Sequence, residues 1–439
     1  MLLYVLGILI ILIGLALSIG LHEIGHLVPA KKFGVKVGQY MIGFGPTIWS
    51  KKYGETQYGV KALPLGGYIS MAGMFPPARE GGKPRTASTG FFDTLVQDAR
   101  TSSADQVKPG DEDRVFYKLP VWKRVVIMLG GPTMNLLIGI VLYGVVLVGF
   151  GLPQSTTTIE SVSQCVIPAT SDQTECTDAD DPAPAAAAGI EPGDTIVSID
   201  GKPMSTWEQA TAVIRASPGV SLEMVVERDG ERVPVTLTPL LTERTVVGDD
   251  GKPVTLADGS VKTERVGVVG ITSQQENVPQ PVTAVLPVVG DNIVGVCKVI
   301  VTLPQRLWQV GEAAFGGGER DPNGPIGLVG IGRLAGEITS LQNETVADRA
   351  QTLIGMLASL NIALFVFNLI PLMPLDGGHV AGALWEGLRR RVAKLFKRPD
   401  PGPVDTAKLV PITVVVSGVL VVMTLLLVYA DIVNPISLL

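Results

Sequence analysis

The stretch SIGLHEIGHLVPA, Ser18–Ala30, closes an opening run, MLLYVLGILIILIGLAL, that has no charged side chain, yet it carries two histidines and a glutamate. In His22-Glu23-Ile24-Gly25-His26 the imidazoles are four residues apart, so a helix places both on one face, one turn apart. Two neutral ring nitrogens in that arrangement can grip one zinc ion, and the glutamate between them can take a proton from water that such an ion activates. Ionisable groups at membrane depth are costly and ordinarily face a bundle interior, where they serve a function. The blander alternative is that residues 22–26 lie at the interface and snorkel or cap the helix. Against it, the whole chain has three histidines and two of them form this motif.

Composition agrees with a membrane protein. Of 439 residues, 46% are hydrophobic and 17% charged, and the mean hydropathy is positive. A net charge of -6 without long basic runs argues against nucleic acid as the main partner. Four segments, about 2–27, 124–150, 350–374 and 408–431, have the length and apolar character of bilayer spans. The first lacks the basic start and small-residue cleavage site of a signal peptide and is read as retained. Lys31, Lys32, Lys36, Lys118, Lys123 and Arg124 gather in one connection, and Arg389, Arg390, Arg391, Lys394, Lys397, Arg398 and Lys408 in another. The positive-inside rule puts both connections in the cytoplasm and the stretch from about 151 to 349 outside.

Within that outer stretch, AAAAGIEPGDTIVSIDGKPMSTWEQATAVIRASPGVSLEMVVERDGERVPVTL predicts a short helix, a glycine turn and a strand over 194–199. A tight turn at Asp200-Gly201, an amphipathic helix over 206–216 and a hairpin turning at Asp229-Gly230 follow. This pattern resembles a bacterial PDZ domain, which takes an extended peptide as an added strand; a plain spacer is the alternative reading. The expected domains are a membrane part over 1–150, a PDZ-like α+β domain over 151–242, a linker over 243–349 with an amphipathic helix near 282–310 on the membrane surface, and a second membrane part over 350–439. Cys165 and Cys176 lie in the outer stretch, where a disulfide is able to persist, with two unpaired thiols as the alternative. The acidic, polar 78–114 region reads as a cytoplasmic insertion without assigned chemistry.

A zinc held by two histidines lacks a ligand, since catalytic sites use three protein ligands and leave a position open. The third histidine, His379, sits in FNLIPLMPLDGGH, Phe367–His379, at the end of the third apolar segment. Asp376 is the better candidate, because Gly377-Gly378 after it allows close backbone approach; His379 is the alternative. Pro371 and Pro374 should break the helix there, which a membrane tolerates where backbone lines a cavity or is covered by protein.

HEIGH, the segment GFGPTIWSKKYGETQYGVKALPLGGYISMAGM, GGPTMN, the PDZ-like module, GPIG and NLIPLMPLDGGH together resemble the site-2 protease family of intramembrane zinc metalloproteases. The bacterial regulator-of-sigma type with four spans is the most similar subtype, and the paired cysteines are similar to those of actinobacterial members. The resemblance implies a polytopic α-helical protein of the bacterial plasma membrane with a membrane-associated β-hairpin region formed by residues 43–74. It implies Zn2+ held by His22, His26 and Asp376, with Glu23 as general base. Asn368 matches an asparagine that helps hold substrate or the oxyanion, and its alternative role is to bond a neighbouring helix break. Asn135 matches a family position whose stronger reading is helix packing beside Gly130 and Gly131.

By the same resemblance the activity is hydrolysis of peptide bonds in or near transmembrane helices of single-pass proteins, such as anti-sigma factors or remnant signal peptides. The outer module would bind peptide ends or exclude bulky substrates, and the active site would lie toward the cytoplasm. Two other classes compete with this reading. A membrane-anchored PDZ scaffold leaves His22, Glu23, His26 and Asp376 without a purpose, and an ion transporter needs neither the intervening glutamate nor an outer peptide module.

Overall fold

Helix α1, Leu2–Lys32, forms because its residues are almost all apolar, and it ends on Lys31 and Lys32, which complement the negative end of the helix dipole. Its buried residues, among them Gly7, Ile11, Ser18, Gly25, His26 and Ala30, recur at helical spacing on one face. The structure is a computed structural model; it describes residues 1–76, 95–98, 100, 101, 103, 107, 109–168, 171, 173, 176, 177, 180–248, 253–256, 260–318, 320–322, 324–342 and 344–436.

Two long strands follow, β1 (Val37–Tyr53) and β2 (Thr56–Met71), paired antiparallel. Both double back at glycines. Gly43 and Gly45 have positive φ, and a Cβ on Gly43 would lie 2.6 Å from the Leu63 carbonyl oxygen. As a result Tyr40 neighbours both Ile69 and Tyr58, and Ile42 neighbours both Gly67 and Val60. The strand character expected of 43–74 is therefore present. Much of the acidic 78–114 region, including 78–94, lies outside the described residues. Its described end is tied down by Lys36–Asp111 and Arg114–Glu55 ion pairs, ahead of buried Val115 and Phe116. Helix α2, Val121–Gly144, then runs into a π-helical turn, Val145–Phe150.

The chain divides into two compact units, one of Met1–Phe150 with Gln280–Leu439 and one of Gly151–Pro279. The second contains β3 (Leu152–Val162), α3 (Pro184–Ala187), β4 (Thr195–Ile199), β5 (Lys202–Pro203), α4 (Trp207–Ala216), β6 (Leu222–Arg228), β7 (Glu231–Leu237), β8 (Leu240–Thr245), β9 (Thr263–Val268) and β10 (Ile271–Val278). The main sheet has the order β10-β3-β4-β6-β7 with β5 on β4, and β8 pairs with β9. Ile159, Ile196, Ile199, Ile214, Leu222, Met224 and Val226 are buried in one cluster between sheet and helices.

The predicted turns fall where expected. Asp200-Gly201 and Asp229-Gly230 all have positive φ, the backbone of tight hairpin turns. Thr206 caps α4 by accepting from the Gln209 amide. The compact unit that begins at Gly151 runs to Pro279, past the 242 expected as the end of the PDZ-like domain, and β10 closes its sheet by pairing with β3 at the unit's start. The bridge between Cys165 and Cys176 is formed.

In the remainder of the first unit, α5 (Val285–Gly316), α6 (Leu328–Ser340), α7 (Val346–Asn368), α8 (Asp376–Leu395) and α9 (Val410–Val433) complete the fold. Among the described residues five helical segments are long and apolar enough to cross a membrane, as befits a multi-pass membrane protein: Leu2–Lys32, Val121–Phe150, Val282–Gly316, Val346–Asn368 and Thr406–Val433. Four spans are expected from sequence; the addition is the helix over 282–316, whose apolar run is punctuated by Asp291, Lys298, Arg306 and Glu312. The third expected span is also shorter, ending at Asn368 ahead of Pro371 and Pro374.

Candidate metal centre

Three side chains converge where α1 meets the start of α8. Nε2 of His22 and Nε2 of His26 lie 3.1 Å apart, and each is 3.3 Å from Oδ2 of Asp376. A tetrahedral zinc with bonds of about 2.0–2.1 Å places its ligands about 3.3 Å apart, so the three atoms already have the spacing such an ion requires. His26 donates from Nδ1 to the Ile127 carbonyl oxygen at 2.7 Å. That bond puts the ring proton on Nδ1 and leaves the Nε2 lone pair facing the cluster.

Oδ2 of Asp376 is buried without a hydrogen-bond partner among the described residues. Acceptors turned toward one another in this way repel unless a cation sits between them, so the donor set fits zinc. The Asp376 side chain is 18% exposed and that of His26 is 6%, which leaves one side of the cluster accessible for water or a substrate group.

Local packing explains the convergence. A Cβ on Gly25 would overlap the Gly130 carbonyl, and one on Gly130 would overlap the Gly25 carbonyl, so α1 and α2 cross backbone to backbone. One residue on, a Cβ on Gly131 would lie 2.7 Å from Nε2 of His22 and closer still to that of His26. The GG pair of GGPTMN thus makes room for the candidate ligands themselves. Asn135, one turn beyond, is buried, and its Oδ1 has no hydrogen-bond partner among the described residues.

Asp376 opens α8 after the chain leaves α7 through residues 369–375. Gly377 and Gly378 pack against that loop: a Cβ on Gly377 would lie 2.5 Å from the Leu369 carbonyl carbon, and one on Gly378 2.6 Å from the Met373 nitrogen. The close approach expected of this glycine pair is realised, and it turns Asp376 back toward α1. His379 is not among the clustered ligands; it lies farther along α8 beside Met74, Phe116, Arg124 and Glu386.

Glu23 is buried, next to the ligands, and accepts from the Ile69 backbone. A Cβ on Gly67 would lie 2.8 Å from Glu23 Cγ, so the second half of β2 runs directly over the glutamate. Tyr40 fixes this contact by donating its hydroxyl to the Gly20 carbonyl at 2.8 Å. Asn368, the last residue of α7, donates to the Leu364 carbonyl at 3.0 Å within its own helix, and the amide has a second hydrogen to give.

Sequence reasoning missed the Ile127 carbonyl, the fit of Gly131 to the imidazoles and the placement of Gly67 over Glu23. It also missed a buried ion pair between Arg124 and Glu386 (2.5 Å), which ties the start of α2 to α8. An arginine and a glutamate on otherwise packed helix faces were the available signals.

The chain matches the Peptidase family M50 model over residues 10–398. It is similar to the zinc metalloprotease Rip1 of Mycobacterium tuberculosis H37Rv, with 36% identity covering 99% of both chains. The Rip1 protein of Mycolicibacterium smegmatis is 35% identical over 98% of both. The metalloprotease MmpA of Caulobacter vibrioides is 28% identical over 88% of both.

Proposed function

Because the chain belongs to peptidase family M50 and is a zinc metalloprotease, we propose that it cuts single-pass membrane proteins within or near their transmembrane helices. The observation that carries this reading is the cluster of His22, His26 and Asp376 on helices bordering apolar spans, with Glu23 beside it. Zinc, when bound, supplies Lewis-acid activation of water and of the substrate carbonyl. His22, His26 and Asp376 hold it, and the Ile127 carbonyl fixes the His26 ring.

Glu23 takes the proton of the attacking water and returns it to the leaving amine. A helical substrate must unwind first, since its carbonyls are engaged in the helix ladder. The Gly67–Ile69 segment of β2, lying over Glu23, offers an extended backbone against which an unwound substrate can align. Asn368 is a substrate or oxyanion donor through its second amide hydrogen.

In this reading the basic connections face the cytoplasm, and the Gly151–Pro279 unit lies outside as a PDZ-like module that receives peptide ends or screens bulky substrates. Anti-sigma factors and remnant signal peptides are the substrate classes proposed.

The test uses the Glu23→Gln protein in cells and in reconstituted membranes. Zinc is retained, cleavage is lost and uncut substrate accumulates bound to the variant. Normal cleavage of a transmembrane substrate by Glu23→Gln would rule out the assignment.

A further inference from the structure

Helix α8 carries a second surface that the metal centre does not use. Leu384, Trp385, Leu388, Val392 and Leu395, with Phe396 just past the helix end, are between 45% and 78% exposed. At 100° per residue they fall within an arc of about 120°, one continuous apolar stripe. The opposite face holds buried Ala383 and Glu386, the latter bonded to Arg124 of α2. Arg389 and Arg391 flank the stripe on its two edges, and Lys394, Lys397 and Arg398 extend the cationic border. Among the described residues Arg390 is engaged by Glu386 and Asp400, whereas no carboxylate pairs with Arg391, Lys394, Lys397 or Arg398. A cleft of about 410 Å³ opens on this side, floored by Trp385, Leu388 and Val392 and bordered by Arg389, Arg398 and Pro401.

We propose that this face of α8 lies in the membrane interface and binds anionic phospholipid, with acyl chain against Trp385, Leu388 and Val392 and headgroup phosphate against Arg389, Arg391, Lys394 and Arg398. Charge complementarity identifies the occupant. Cations at the edges of an apolar arc sit at headgroup level when the arc is immersed, and tryptophan suits the same depth. A zwitterionic bilayer has no net charge for them to meet, whereas near an anionic surface each basic side chain contributes about fivefold to partition. Stripe, cations and cleft lie on one helix and the turn just past its end, continuous with the membrane unit, so a single lipid layer satisfies all three.

The experiment uses the full-length protein in phosphatidylcholine vesicles containing a minority of phosphatidylglycerol, with bromine on the acyl chains of one lipid or the other. Quenching of Trp385 is read as the difference from a Trp385→Phe protein. Brominated phosphatidylglycerol is expected to quench several-fold more than brominated phosphatidylcholine at equal mole fraction. That preference falls with added salt. It disappears in Arg389→Gln/Arg391→Gln/Lys394→Gln/Arg398→Gln and persists when the three arginines become lysines. Equal quenching by the two lipids, no quenching by either, or a preference that survives high salt in the unaltered protein would each overturn the proposal, whatever the folding of the variants.

Discussion

The Ile127 carbonyl accepts a hydrogen bond from Nδ1 of His26 across 2.7 Å, and one turn along the same helix Gly131 presses against Nε2 of the same ring. Helix α2 therefore sets both the tautomer and the position of a candidate metal ligand carried by α1.

Gly131→Ala should evict the metal. The added Cβ meets ring nitrogens on both histidines at less than contact distance, and relieving it means displacing the imidazoles or opening the close Gly25–Gly130 crossing beside them. Zinc affinity is expected to fall about 10–100-fold, as for other changes in the shell around a ligand. Metal analysis of the purified protein, with helix content by circular dichroism as control, checks this; full zinc occupancy at limiting metal would refute it.

Asp376→Asn and Glu23→Gln should separate holding the ion from moving the proton. The first removes the carboxylate that faces both imidazoles and lowers zinc content together with cleavage. The second keeps zinc and lowers kcat by about 10²–10⁴-fold. Zinc content and single-turnover cleavage measured side by side distinguish them, and equal metal loss in both would contradict the division of roles.

Glu386→Ala should destabilise the membrane unit. It strands Arg124, itself buried, and removes the acceptor of the Val404 amide. Removing one partner of a buried pair costs about 3–5 kcal/mol, whereas replacing both by apolar residues is far milder. Thermal unfolding in detergent should rank Glu386→Ala below Arg124→Met/Glu386→Leu, and the reverse order would show that the pair does not secure α8.

The Gly151–Pro279 unit should weaken in acid through Asp194. Hydrogen bonds from Arg228 hold its carboxyl below the usual carboxylate range, with Nε on Oδ1 at 2.8 Å and Nη2 on Oδ2 at 2.7 Å. A folded value below the unfolded one means the contribution is full above about pH 4 and is lost as pH falls through the folded value. Protection of the Thr195–Ile199 amides, taken relative to their intrinsic exchange rates at each pH, should fall on acidification past that point in the unaltered protein. In Arg228→Ala protection is already low at neutral pH and changes less with acid; an identical pH profile in both would count against the pair.

Particular residues show how much could be read directly. The spacing of His22 and His26 put two ligands on one helix face, and Asp200-Gly201, Asp229-Gly230 and Thr206 marked turns and a cap that the backbone adopts. The helix over 282–316 was harder, because charged residues interrupt its apolar run, and it reads equally as a surface helix. The end of the Gly151–Pro279 unit was hard to read for a different reason: β10 belongs to that unit only through pairing with β3, and no pattern within 271–278 names its partner.

Local chemistry decided which segments became helices, hairpins and spans, because helical period, turn backbone and hydropathy act over a few neighbouring residues. The sequence alone therefore specified half of the candidate metal site and the glutamate beside it. Tertiary packing supplied the rest. Close approach of Gly25 and Gly130, the fold-back at Gly377 and Gly378 and the passage of Gly67 over Glu23 depend on surfaces meeting across the chain. Only their assembled fit brings Asp376 within 3.3 Å of both histidines.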